Sequence, residues 1–238
     1  MLEYVTLYNL AGKPEKAYEI IMSHSFRPWE GAEGRISGQY KIALLEMAKK
    51  DIAAGAYSEA EEKLEKALVY PENLGEGKLE GTKDNNLYYY LGLVKEALGK
   101  EGAEECFHLA ELGDNEPAGA MYYYDQPADM ILYKGLAKQK LGKTKEAHAC
   151  FNKLMDYGER HLNDVVKNDF FAVSLPDFLI FEDDMDKRNK AHCYYLMGLA
   201  NLGMGQKEKA VEEFDKALEY DFNHQNCRIY KELAKGEL

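Results

Sequence analysis

Glycine punctuates this chain on a long period. Gly12, Gly55, Gly99, Gly142 and Gly205 each follow an apolar helical pattern, at intervals of 43, 44, 43 and 63 residues. Spacing of this kind belongs to stacked repeats, in which one unit cannot bury its own apolar face. Four or five residues after each glycine an alanine recurs, as Ala17, Ala60, Ala103, Ala147 and Ala210. A large apolar side chain comes four residues later, Ile21, Leu64, Phe107, Phe151 or Phe214, and three further on stand His24, Ala67, Ala110, Leu154 and Ala217. Residues at i, i+4 and i+7 share a helical face, so each glycine opens a second helix. Seven residues before the last four glycines sit Ala48, Gly92, Gly135 and Gly198, with Leu44, Tyr88, Ile131 and Tyr194 four residues ahead of them. A first helix with a small residue on its inner face lets the large side chain of the second helix sink into it. Glycine is expected to end each first helix. Pro14 suits the first turn of a second helix, and Ser58 with Glu61 reads as a capping box.

Tyr-Tyr-Tyr-Leu-Gly at 88–92 followed by Ala-Glu-Glu-Cys-Phe-His-Leu-Ala at 103–110 resembles the tetratricopeptide pattern. The expected fold is all-α, a right-handed α-solenoid of tetratricopeptide-like helix pairs with enlarged inter-repeat loops, ten to twelve helices in all. It is read as one domain over 1–238. A half repeat at 1–39 precedes repeats at about 40–84, 85–128, 129–188 and 189–222, and Cys227, Tyr230 and Leu233 mark a closing helix at about 225–235. The first helix has nothing before it to cover its outer face, which suggests a fragment of a longer protein.

With 30 basic and 42 acidic residues the net charge is −12, and no basic cluster alternates with aromatics. Nucleic acid is therefore not an expected partner. Apolar runs such as Phe170 to Val173 are too short to span a bilayer, and the first residues lack a secretory signal, so a cytoplasmic chain is expected with no membrane partner. Cys106, Cys150, Cys193 and Cys227 lie too far apart for a metal knuckle and read as buried, reduced thiols. No His-Glu-x-x-His, Gly-x-Ser-x-Gly or phosphate loop occurs. No metal, cofactor or catalytic residue is expected, and the chain alone does not read as an enzyme. His108 and His148 read as solvated, while His24, in a usual alanine slot, reads as a loop anchor.

A plain tetratricopeptide unit is about 34 residues, so every unit here carries extra length. The second helix and its turn are nearly constant, which places the extra residues in the connections to the next unit, about 25–39, 70–84, 112–128 and 157–188. Equivalent connections fall on one edge of a solenoid. Their content mixes carboxylates, amides and flat rings with glycine and proline. The candidate ligand- or partner-binding residues are Trp29, Glu30, Glu33, Asn73, Glu76, Tyr123, Asp125, Gln126 and Asp177. Phe170, Phe171, Val173 and Phe178 read instead as packing residues. The inner groove does not read as a clamp for a terminal carboxylate: of Leu45, Lys49, Asn86, Tyr89, Leu93, Leu132, Leu136, His192, Tyr195 and Leu199, one is a lysine and none an arginine.

The segments at 24–34 (HSFRPWEGAEG), 70–79 (YPENLGEGKL), 116–127 (EPAGAMYYYDQP) and 169–178 (DFFAVSLPDF) resemble the C-terminal tetratricopeptide region of a family of large bacterial proteins. The N-terminal domain of that family is of unknown function and is similar to a galactose-mutarotase-type β-sandwich. The resemblance implies a carbohydrate-related parent protein, and it assigns no catalytic residue here. Two functions remain open. One is an interaction or scaffold module whose loop edge docks on that N-terminal domain or on another chain. The other is a carbohydrate or small-ligand surface formed by the loops, in which Trp29 or Tyr123 would stack on a sugar and Glu30, Glu76, Asp125 and Gln126 would bond its hydroxyls.

Overall fold

The computed structural model describes residues 1–29, 32–119, 126–166 and 184–236. Among them the chain is all helical, with no strand. It divides into two compact units, Met1–Ala110 and Glu111–Glu237. The first unit stacks three antiparallel helix pairs: α1 (Leu2–Leu10) with α2 (Pro14–Ser23), α3 (Arg35–Ala53) with α4 (Tyr57–Ala67), and α5 (Asn85–Leu98) with α6 (Ala103–Ala110). The second holds α7 (Ala128–Lys140) with α8 (Thr144–His161), then α9 (Met185–Gly203) with α10 (Lys207–Tyr220), and α11 (Gln225–Lys235) packed on α10. Within each unit the second helix of one pair also packs on the first helix of the next. This is the stacked-pair architecture of an α-solenoid.

The interlock expected from the small and large positions is present. A methyl group on Gly92 would lie 2.4 Å from the Phe107 ring, on Gly135 2.2 Å from Phe151, and on Gly198 2.4 Å from Phe214. Each ring occupies the space a side chain would have taken, which brings the paired helices close and buries the aromatic fully or nearly so. Phe151 is gripped twice, since Gly203 of α9 also approaches it within 2.4 Å of where a Cβ would stand. The turn glycines Gly12, Gly55, Gly99, Gly142 and Gly205 all adopt φ between 65° and 75°, the left-handed conformation that ends a helix cheaply only for glycine.

The helix starts hold one surprise. Pro14 opens α2 as expected, but Ser58 and Glu61 form no capping box, because α4 begins at Tyr57 with Ala56 as its N-cap. Glu61 instead accepts a hydrogen bond from Lys100, in the turn between α5 and α6, at 2.5 Å. The second helix of one pair is thereby tied to the next pair. All four cysteines are buried and free. Burial pushes their thiols up, that of Cys193 to about 12, which keeps them protonated and unreactive.

Candidate functional site

In the first unit the two enlarged connections, after α2 and after α4, are sewn together by one short stretch of the second. The Asn73 side-chain amide donates to the carbonyls of Ile21, 2.7 Å, and His24, 2.9 Å, at the C-terminal end of α2. Carbonyls at a helix end are short of intrahelical partners, and the Ile21 carbonyl otherwise has only a long bond from the His24 N–H, 3.4 Å. The Asn73 carbonyl in turn accepts from the Phe26 N–H at 2.7 Å. Gly75, at φ 72°, presses on the same chain, and a Cβ there would stand 2.2 Å from the Phe26 carbonyl oxygen. No other residue fits that crossing. One residue later, the Glu76 carboxylate accepts from the backbone N–H of Gly34, 2.9 Å, and Ser37, 3.1 Å. It caps α3 from across the loop, where a negative charge also meets the positive end of the helix dipole. Residues 73–76 therefore hold both the end of α2 and the start of α3.

Trp29 lies between those two fixed points. Its carbonyl accepts from the Ala32 N–H at 2.8 Å, while its side chain is 61% exposed. Glu33 is exposed beside it in sequence. The candidates of this edge thus divide by role: Trp29 and Glu33 face solvent, whereas Asn73 and Glu76 spend their polar atoms on the fold. Glu30 lies outside the described residues, as do Tyr123, Asp125 and Asp177. Phe170, Phe171, Val173 and Phe178 lie outside them too. Gln126, in the second unit, acts as a staple within its own loop: Oε1 accepts from the Asp114 N–H at 2.8 Å and Nε2 donates to the Asp114 carbonyl at 2.9 Å. Replacing Glu76 with alanine should cost about 1–2 kcal/mol as a lost helix cap. Hydrogen exchange should quicken at the Gly34 and Ser37 amides while those of α4 keep their protection.

Three further arrangements take their form from packing. His24 does anchor the loop, but through its backbone carbonyl; its ring Nδ1 sits 3.0 Å from the Ile20 carbonyl and 3.0 Å from Ser23 Oγ, contacts local to α2. Asp84, buried at the far end of the second connection, pairs with Lys78 at 2.6 Å and Lys41 at 3.0 Å. Lys78 also donates to the Leu68 carbonyl at 2.8 Å and lies over the Tyr70 ring. Burial alone would pull the Lys41 ammonium down, but Asp84 and Tyr70 outweigh it and hold the group above its ordinary range. This cluster clamps the loop to α3. In the second unit, His192 is buried, with Nε2 2.9 Å from the Ala118 carbonyl. Desolvation lowers it to about 4, so it is neutral at pH 7 and donates that bond. Of the positions expected from sequence to line an inner groove, Leu45, Lys49, Leu132, His192, Tyr195 and Leu199 are buried.

Among the described residues no group of three His, Cys, Asp or Glu side chains could hold a metal ion, and no helix is long and apolar enough to cross a membrane. His108 and His148 are exposed. No protein-family model matches the chain. Among solved structures it is similar to YrrB, a TPR protein with an unusual peptide-binding site, at 17% identity and a TM-score of 0.31, over 99% of this chain and 90% of that one. It is also similar to the MamA RS-1 ArsTM double mutant, at 17% identity and a TM-score of 0.28, over 83% of this chain and 89% of that one. At such scores neither likeness bears on function.

Proposed function

We propose that the chain is a protein-interaction module and that the joined loop edge of its first unit, centred on Trp29, is a docking surface. The supporting observation is a large aromatic side chain left 61% exposed on a backbone fixed at both ends. A rigid anchor loses little conformational entropy on binding, which is why exposed tryptophans so often dominate interface energies. The partner in this reading is a β-sandwich domain of the kind the family resemblance implies, or another protein chain. The same exposed indole, with the Glu33 carboxylate four residues on, favours a second reading in which the edge stacks on the apolar face of a sugar.

Trp29 is the only tryptophan, so tryptophan emission, excited beyond the tyrosine band, reports this edge alone. The free chain should emit as an exposed indole and be quenched readily by acrylamide. Titration with a galactose-mutarotase-type sandwich domain should shift the emission to the blue and protect it. Trp29→Ala should weaken binding at least tenfold, the scale of a hot-spot residue, while the melting temperature barely moves, as for an exposed substitution. Titration with galactose in place of the domain tests the second reading. Quenching that is already blocked in the free chain, or undiminished binding by Trp29→Ala, would remove this surface from the function.

A further inference from the structure

The stretch from Glu111 to Ala118 belongs to no helix, yet it is bonded along its length to the helices of its own unit. The Glu111 carboxylate accepts from Lys138 at 3.2 Å and Lys143 at 2.6 Å. The Gly113 carbonyl accepts from Lys134, Asn115 Oδ1 accepts from Cys150 Sγ at 3.7 Å, Glu116 pairs with Lys153, and the Ala118 carbonyl accepts from His192. As the stretch advances, its partners step back along α7 and forward along α8. It therefore lies lengthwise between these antiparallel helices, from their shared turn towards α9. The match is one of charge: Glu-Leu-Gly-Asp-Asn-Glu-Pro-Ala carries three carboxylates and no cation, and it meets four lysines. Of its residues only Pro117 is buried, and Leu112 is 56% exposed, so apolar area contributes little to holding it.

Lys134 is the uneven point of this match. It is 7% exposed, and among the described residues its amine donates to no carboxylate, only to the neutral Gly113 carbonyl. Burial pulls its ammonium below the ordinary range, and the nearby Asp114 and Glu111 do not make up the loss. Position 113 of the chain cannot supply a carboxylate, since its φ is +100° and a Cβ there would stand 2.2 Å from Gln126 Oε1. A separate peptide, not stapled to Gln126, is free to carry one. We propose that the groove between α7 and α8 is a binding site for an extended acidic peptide of a partner protein, with carboxylates opposite Lys138, Lys134 and Lys153, and that residues 111–118 are its internal occupant. A tethered occupant is always at hand, so a partner displaces it only by binding better. The carboxylate for Lys134 is where it does so. A second copy of this chain brings the same stretch with the same gap at Gly113 and gains nothing over the tethered one. The proposal uses the second unit only and is independent of Trp29.

The probe is a capped, fluorescein-labelled peptide of residues 111–118 carrying Gly113→Asp, titrated into the whole chain at low salt and followed by anisotropy. Glu111→Gln with Glu116→Gln in the chain weakens the internal occupant and leaves every groove lysine in place. That variant should bind the probe one to one, at least about tenfold tighter than wild type, the scale of one charge-assisted bond. The peptide with its native Gly113 should bind the variant more weakly, and Lys134→Met should erase that difference. If the paired change costs helical circular dichroism, Glu116→Gln alone, at an exposed position, carries the comparison. Trp29→Ala should leave every affinity unchanged. No saturation of the variant below about 1 mM probe, equal binding by wild type, or a difference between the peptides that survives Lys134→Met would overturn the proposal. So would a wild-type dimer in sedimentation that the paired change dissolves, which would make a second copy the occupant.

Discussion

Phe151→Ala is expected to lower the free energy of unfolding by about 3–5 kcal/mol. The ring is fully buried in α8 and lies against both Gly135 of α7 and Gly203 of α9. Loss of a core side chain is partly recovered when neighbours relax into the space. Here two of the walls are glycine, with no side chain to swing inward, and the helices carrying them are held at their other contacts. The cavity should therefore stay open, and three helices lose their common anchor at once. At about 2–4 °C per kcal/mol for a chain of this size, the melting transition should fall by roughly 6–20 °C. Urea unfolding followed by circular dichroism checks it: the midpoint should drop with the slope unchanged. A loss under about 1 kcal/mol, the range of ordinary substitutions, would mean that the gap closes and that the paired glycines are not what fixes the spacing.

Acid should weaken the second unit through His192. Its imidazole titrates at about 4 in the folded chain, from an ordinary 6.5, because burial disfavours the charged form. Protonation also places a like charge near His224 and Arg188. The Tyr157 ring meets it edge-on and the Ala118 carbonyl accepts its Nε2–H. The unfolded chain takes up this proton first, so stability is complete above about pH 6.5 and is lost as the pH falls towards about 4. A shift of this size corresponds to about 3 kcal/mol. His224, which accepts the Cys227 N–H at the start of α11, is lowered by burial as well and adds in the same direction. His192→Gln can still donate to Ala118 and does not titrate. The gap in stability between pH 7 and pH 4 should therefore shrink by about that amount relative to wild type. An unchanged pH dependence would show that His192 reaches solvent.

The loop edge shows how far residue type alone can lead. Asn73 and Glu76 were legible as unusual loop residues, but a polar side chain in a glycine-rich loop reads equally as ligand contact or as cap. The choice depends on Ile21, His24, Gly34 and Ser37, more than thirty residues away. Trp29 had the opposite ambiguity. A lone tryptophan before a helix could be a buried plug or a displayed anchor, and its exposure excludes the plug.

The sequence by itself determined the helix pairs, their turns and the interlock between them. Those features repeat, they depend on residues fewer than about twenty apart, and helical periodicity projects them directly onto faces. Gly92 with Phe107 and Gly198 with Phe214 pair on sequence spacing alone, because the turn glycine between them fixes which faces meet. Tertiary structure alone decided the Asp84 cluster with Lys41 and Lys78, the burial of His192 beneath Ala118, and the use of Glu61 as an acceptor for Lys100. Each joins charged or polar groups from separate elements once per chain, with no period to announce it. Such groups take their roles from the partners that packing brings within about 3 Å, the range of a hydrogen bond, and from the water that packing removes.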